Sequence, residues 1–272
     1  MTRRKANFPA HNQKRPRLGQ HFLVETEYAR IIVESAEIKP SDRLLEIGPG
    51  KGALTTALSQ ASGSLTLVEP DANLARKLKI EFPTAIVTEQ NAEDVDYRGL
   101  IGPLVVVSNL PYYASVHIYK HLTEQKENIS RMVLMFQKEV ADRISASPGG
   151  RHYGSLSVWS GYNWDIEKVV AVPPSAFNPP PKVESAVLKF TPRKAALDEP
   201  DEIKLFRLVR ASFVHKRRTI VNNLKTVYTP ESIGAALKAV DLAVAARAET
   251  ISQEQFLIMS QILVGTPPEE TE

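Results

Sequence analysis

Arg43-Leu44-Leu45-Glu46-Ile47-Gly48-Pro49-Gly50-Lys51-Gly52 runs from a strand-sized apolar segment straight into a glycine turn, and a helical pattern follows from Ala53 to about Gln60. Strand, tight turn and helix in that order predict the opening unit of an α/β fold. Gly48 and Gly50 lack a Cβ, so the backbone there can approach a ligand closely. Outward along the chain, further apolar runs occupy Leu65 to Glu69, Ala85 to Thr88, Leu104 to Val107 and Met132 to Phe136. The stretches between them are long enough for crossover helices, which predicts a parallel sheet with helices on both faces. Glu69 closes the second of these strands, where a carboxylate can accept hydrogen bonds from two ribose hydroxyls. Nucleoside binding is therefore expected. Gly48, Gly50 and Ala53 also fit the dinucleotide fingerprint G-x-G-x-x-A, which leaves a nicotinamide-dependent enzyme open. No obvious hydride-transfer site follows downstream.

The fourth strand ends in Asn109-Leu110-Pro111-Tyr112, and this junction points to methyl transfer onto an exocyclic amine. The lone pair of adenine N6 is delocalised into the ring, so the amine is a poor nucleophile that needs acceptors rather than a base. The Asn109 side-chain oxygen and the Leu110 carbonyl, held by Pro111, can accept both amine hydrogens and draw the nitrogen toward a pyramidal form. Tyr112 is then placed to stack on the base. The same four residues also suit a strand-ending turn, since Asn and Pro both favour turns.

Taken with its flanking blocks, the chain resembles the ribosomal RNA adenine dimethyltransferases of the type that modifies small-subunit RNA (the KsgA type). The resemblance runs through Leu18-Gly19-Gln20-His21-Phe22-Leu23, Glu46-Ile47-Gly48-Pro49-Gly50, Asn109-Leu110-Pro111-Tyr112, Phe136-Gln137-Lys138-Glu139-Val140, the proline loop Pro173 to Val183 and the basic stretch near Arg217. It implies a class I, Rossmann-like methyltransferase sheet of seven strands, one of them antiparallel, with a smaller all-helical C-terminal domain. It also implies S-adenosyl-L-methionine as donor, and as acceptors two adjacent adenosines near the 3′ end of the small-subunit RNA, each receiving two methyl groups. The cofactor contacts carried over fall on His21, Leu23, Gly48, Glu69, Asn91 and Asn109. Asn91 departs from the family's usual Asp; it keeps a carbonyl acceptor for the cofactor's adenine amine but loses the charge, so Asn91→Asp is expected to tighten cofactor binding. Asn91 also suits the cap of a helix-like turn over Ala92-Glu93-Asp94. Phe177, in the proline-stiffened loop, is expected to sandwich the extruded base against Tyr112, or else to plug the core. Tyr113 shapes the pocket or merely packs. Two related readings are a large-subunit RNA adenine methyltransferase of the resistance type and an RNA-binding ribosome-assembly factor without catalysis.

Composition bounds the remaining possibilities. The 272 residues, 43% of them hydrophobic, suffice for one sizeable core and a smaller second unit. The sequence contains neither an 18-residue apolar run nor an apolar segment behind a basic amino terminus, so no membrane span is expected and the protein is assigned to the cytoplasm. It has no cysteine, which excludes disulfides and thiolate metal sites, and its six histidines are read as surface or core residues rather than ligands. No metal is expected. The net charge is only +3, yet Arg3, Arg4, Lys5, Lys14, Arg15 and Arg17 crowd the first 17 residues without an acid. That distribution predicts a disordered arm over 1–17 that orders on RNA phosphate. The catalytic domain is placed at 18–192, with two further β-rich runs at Ile166 to Val172 and Ser185 to Phe190. A linker around Pro192-Arg193-Lys194 and Pro200 leads into a helical, RNA-binding unit over 193–272. There, Lys216, Arg217 and Arg218 interrupt a helical pattern from Glu202 to Leu224, with Arg207, Arg210 and Arg217 spaced to share one face and touch phosphate. The expected assembly is a monomer acting on the small ribosomal subunit and its RNA.

Overall fold

The computed structural model describes residues 21–194 and 196–264. The basic arm expected over 1–17 and the acidic end at 267–272 lie outside the described residues. Strand β1 (Phe22–Leu23) leads into helix α1 (Thr26–Ser35), and β2 (Arg43–Ile47), α2 (Thr55–Ala61), β3 (Ser64–Val68), α3 (Ala72–Glu81) and β4 (Ile86–Thr88) follow. After β4 the chain continues through β5 (Leu104–Asn109), α4 (Ser115–Thr123), β6 (Ile129–Gln137), α5 (Lys138–Ile144), α6 (Ser155–Asn163), β7 (Trp164–Val172), β8 (Phe177–Asn178) and β9 (Ser185–Pro192). Helices α7 (Glu199–Ser212), α8 (Ile220–Leu224), α9 (Pro230–Ala239) and α10 (Gln253–Ile262) complete it.

Seven strands form one sheet in the order β4-β3-β2-β5-β6-β9-β7. The pairs among β4, β3, β2, β5 and β6 are parallel, whereas β9 runs antiparallel to both β6 and β7. The alternation along each strand splits the core in two. On β5, Leu104 and Val106 face one helical layer while Val105 and Val107 face the other; on β6, Met132, Leu134 and Phe136 oppose Val133 and Met135 in the same way. Apolar residues on both faces are what a sheet covered on both sides demands. The chain leaves β2 toward β3 and β4, then returns to build β5 and β6 on the other side. The crevice at the carboxyl ends of β2 and β5 is therefore the topological switch point, where open α/β sheets bind ligands.

The C-terminal helices begin on capping side chains: Asp198 for α7, Thr219 for α8, Thr229 for α9 and Ser252 for α10. Pro230 occupies the first turn of α9, where its missing N–H costs nothing. These helices enclose their own core, but Tyr153 and, from α6, Val158 and Tyr162 are part of it. Hydrophobic packing therefore crosses the linker that the sequence marks. The pattern read as one interrupted helix from Glu202 to Leu224 resolves into α7 and α8, with residues 213–219 forming the turn between them.

Candidate active site

A cavity of about 880 Å³ opens at the switch point, between the glycine turn after β2, the end of β3 and the Asn109-Leu110-Pro111-Tyr112 junction after β5. The turn is shaped by backbone that only glycine adopts readily: Gly48 and Gly50 lie at φ +66° and +57°. A Cβ on Gly50 would sit 3.0 Å from the Phe22 ring, so the absence of a side chain there lets β1 close over the turn. Lys51 Nζ lies 4.4 Å from the centre of the same ring. Strand β1 is held in place by pairing with β8, Leu23 opposite Phe177.

Glu69 is buried at the cavity wall. Its two carboxylate oxygens accept the backbone N–H groups of Gly50 (3.1 Å) and Asp71 (3.0 Å). Each oxygen keeps a further lone pair, so two hydroxyl donors can still be received. Burial pushes the Glu69 carboxyl up, and the two N–H donors oppose that shift. Glu46, one strand away, is also buried and reaches the cavity lining; burial raises its carboxyl from 4.5 to about 8, while the Thr55 hydroxyl donating to it at 2.7 Å pulls the other way.

On the β5 side, Ser108 anchors the strand end by donating to the Ile47 carbonyl. Asn109 is half-buried and lines the cavity, and among the described residues its side-chain amide has no hydrogen-bond partner. The Tyr112 hydroxyl pairs with Ser185 Oγ at 2.6 Å, and the His21 ring lies 5.7 Å from the Tyr112 ring while its Nδ1 meets the Pro179 carbonyl at 2.7 Å. Burial raises the Tyr112 phenol above its ordinary value, which keeps it a neutral ring rather than a base. The Asn109 amide at the carboxyl end of β5, the Tyr112 ring and the buried Glu69 carboxylate thus share one cavity.

The ribosomal RNA adenine dimethylase family model matches residues 11–264. The chain belongs to that family. The small-subunit ribosomal RNA methyltransferase A of Acidobacterium capsulatum is 40% identical over 258 residues, 92% of this chain and 91% of the relative. Its counterpart in Myxococcus xanthus is 37% identical with the same coverage. Among solved structures, a dimethyladenosine transferase from Plasmodium falciparum superposes with a TM-score of 0.76 at 26% identity, covering 89% of this chain and 99% of that one. The methyltransferase ErmE shares the fold, with a TM-score of 0.73 at 24% identity.

Within this dimethylase, His21, Leu23, Gly48, Glu69, Asn109, Leu110, Pro111 and Tyr112 all line the one cavity. Asn91 does not. It is exposed beyond the lining and opens the single helical turn Ala92–Asp94 without a side-chain cap; instead its amide nitrogen donates to Asp94 at 3.0 Å. The base sandwich expected of Phe177 also fails on placement. Phe177 is only 3% exposed and packs in the core with Leu23, Val172 and Ala176, so it backs the β1 strap rather than facing a ligand. The aromatic that does stand open at the cavity is Tyr113, 54% exposed. Lys216, Arg217 and Arg218 lie in the exposed turn before α8, not on a helix face with Arg207 and Arg210, because Thr219 caps a new helix there. Phe22, Glu46 and Gln137 also line the cavity. Nothing local in the sequence marks them, since an apolar ring, a mid-strand acid and a strand-ending amide look ordinary until the topology brings them to one rim. Among the described residues no cluster of His, Cys, Asp and Glu is arranged to hold a metal ion, and no helix is long and apolar enough to cross a membrane.

Proposed function

We propose that this protein is an S-adenosyl-L-methionine-dependent dimethyltransferase acting on the N6 amine of two adjacent adenosines near the 3′ end of small-subunit ribosomal RNA. The observation that carries the reading is that Asn109, whose amide has no partner among the described residues, opens into the same cavity as Glu69 and the glycine turn. S-adenosyl-L-methionine supplies an electrophilic methyl group when bound. The residues present fit it: Glu69 keeps lone pairs for two ribose hydroxyls, and Gly48 and Gly50 leave backbone bare beside it. Asn109 and the Leu110 carbonyl accept the two hydrogens of the target amine, and Tyr112, braced by Ser185, supports the base. Holding the amine in line supplies most of the rate, because a bound near-attack geometry replaces a bimolecular encounter. No side chain acts as general base; the proton leaves after the nitrogen has become cationic. Lys216, Arg217 and Arg218 contact RNA phosphate from the C-terminal helical unit, at a distance from the chemistry.

That the Acidobacterium capsulatum and Myxococcus xanthus relatives are small-subunit methyltransferases favours the small subunit over the large. The test is transfer of labelled methyl groups to undermethylated small subunits and, in parallel, to large subunits. Label confined to small-subunit RNA supports the proposal, and label on large-subunit RNA instead refutes it.

A further inference from the structure

A second groove adjoins the acceptor end of the main cavity. Its volume is about 280 Å³, and it is lined by Gln137, Lys138, Glu139, Asp142, His152 and Val183. Gln137 belongs to both walls. It ends β6 directly opposite Ser185, the residue that takes the Tyr112 hydroxyl, so the groove begins one strand over from the aromatic that would support the target base. We infer that this groove holds the nucleotide adjoining the target adenosine, and that Arg151 carries the RNA from it to the basic turn at 215–218. The inference rests on the functional reading above and extends it to the path of the substrate.

Chain connectivity is the first support. An adenosine turned into the acceptor cavity stays bonded to its neighbours, which must therefore lie against the rim of that cavity. The side of the rim formed by the glycine turn and Glu69 is given over to the cofactor, whereas the Gln137 side opens into an unfilled groove. The lining suits a nucleotide. Val183, 46% exposed, offers an apolar surface beside the His152 ring, and Lys138 stands at the edge. The acid at the floor is already neutralised, because Asp142 pairs with both Lys138 (3.2 Å) and Lys168 (3.1 Å). Glu139 is the remaining acid in the lining, and it is exposed.

The second support is the loop over residues 145–154, which joins this groove to the C-terminal unit. Gly149 N–H donates to the Glu249 carbonyl at 2.7 Å, the Tyr153 hydroxyl donates to the Ile251 carbonyl at 2.9 Å, and Lys216 Nζ donates to the Arg151 carbonyl at 3.1 Å. The loop is thus ordered before RNA arrives, which lowers the entropy lost on binding. Arg151 itself is exposed and makes no ion pair among the described residues. Cations at Arg151, Arg217 and Arg218 then line a path from the groove to the turn before α8, complementary to a phosphate backbone.

Two substitutions at exposed positions test this, with undermethylated small subunits as the probe. Val183→Trp fills the groove, and Arg151→Glu reverses the charge beyond it. Both should raise KM for the subunit about tenfold, the scale of losing one base or phosphate contact, while the dissociation constant for S-adenosyl-L-methionine stays within twofold of wild type. Arg151→Glu should also reduce the salt slope of RNA binding by roughly 0.7 or more, and Val183→Trp should leave that slope unchanged. A wild-type KM in either variant overturns the assignment, as does loss of cofactor binding in both, which would make the groove a support for the cofactor site. A wild-type enzyme that methylates no small-subunit RNA at all would instead refute the functional reading before any variant is compared.

Discussion

Gly50→Ala is the substitution whose cost can be worked most closely from the structure. Gly50 sits at φ +57°, where an L-residue loses roughly 1–2 kcal/mol relative to glycine. The new Cβ would also stand 3.0 Å and 3.2 Å from two carbons of the Phe22 ring. That ring must give by a few tenths of an ångström, on a strand that pairing with β8 holds over the turn. Displacing it adds about 1 kcal/mol or more, in the range of overpacked sites. Gly149→Ala is the control, because Gly149 lies at φ +80° with nothing within 4 Å of the added Cβ. Both variants share the backbone strain and the loss of unfolded-state freedom, so their difference isolates the clash with Phe22. Thermal unfolding by circular dichroism should show Gly50→Ala melting about 2–4 °C below Gly149→Ala for each kcal/mol of that difference. Calorimetry should show weakened S-adenosyl-L-methionine binding in Gly50→Ala alone, because the Gly50 N–H also orients Glu69. Equal melting temperatures with wild-type cofactor affinity in both would refute the claim that β1 closes tightly over the glycine turn.

Three further outcomes follow from the same geometry. Asn91→Asp, which sequence alone suggests would tighten cofactor binding, should bring no gain in a calorimetric titration: the Asn91 amide donates to Asp94 at 3.0 Å, and the substitution sets two carboxylates side by side. Glu46→Gln should flatten the pH dependence of stability. The folded Glu46 carboxyl holds its proton up to about pH 8 while the unfolded one ionises near 4.5, so wild-type stability falls as pH rises through that window, by several kcal/mol at most; denaturant midpoints from pH 5 to 9 that decline equally in both proteins would contradict this. Replacing Lys216, Arg217 and Arg218 together by Ala should weaken RNA binding and lower its salt slope by roughly 0.7–0.9 per lost phosphate contact, with cofactor affinity unchanged; unaltered RNA affinity would make the turn a solvated surface.

The strands were legible because a sheet buried on both faces forces continuous apolar runs, and the runs at Leu44, Leu65, Leu104 and Met132 could hardly be anything else. The glycine turn was legible for a different reason, since positive φ at Gly48 and Gly50 leaves few alternatives to glycine. What stayed hidden depends on contacts between distant segments. Phe177 looks like a pocket aromatic in its proline loop, but pairing of β8 with β1 turns it into the core against Leu23. Arg217 looks helical until Thr219 is seen to restart the chain as a new helix. Asn91 reads as a ligand or a cap, whereas a neighbour three residues on takes its amide. Glu46 gives no local sign of its raised proton affinity, which arises from burial between β2 and α2.

The central claim is that Asn109 places the target amine for attack in a site that also binds the methyl donor. Asn109→Ala removes one acceptor aimed at the reacting nitrogen, a loss worth about 2.7–4 kcal/mol in comparable sites, or roughly 10²- to 10³-fold in rate. The decisive measurement is single-turnover methyl transfer to undermethylated small subunits, with variant and wild type each saturated with S-adenosyl-L-methionine and RNA, followed by nucleoside analysis. Wild type should yield N6,N6-dimethyladenosine in the small-subunit RNA, and Asn109→Ala should fall by that factor while binding both partners normally. Near-normal dimethyladenosine formation by Asn109→Ala would contradict the account.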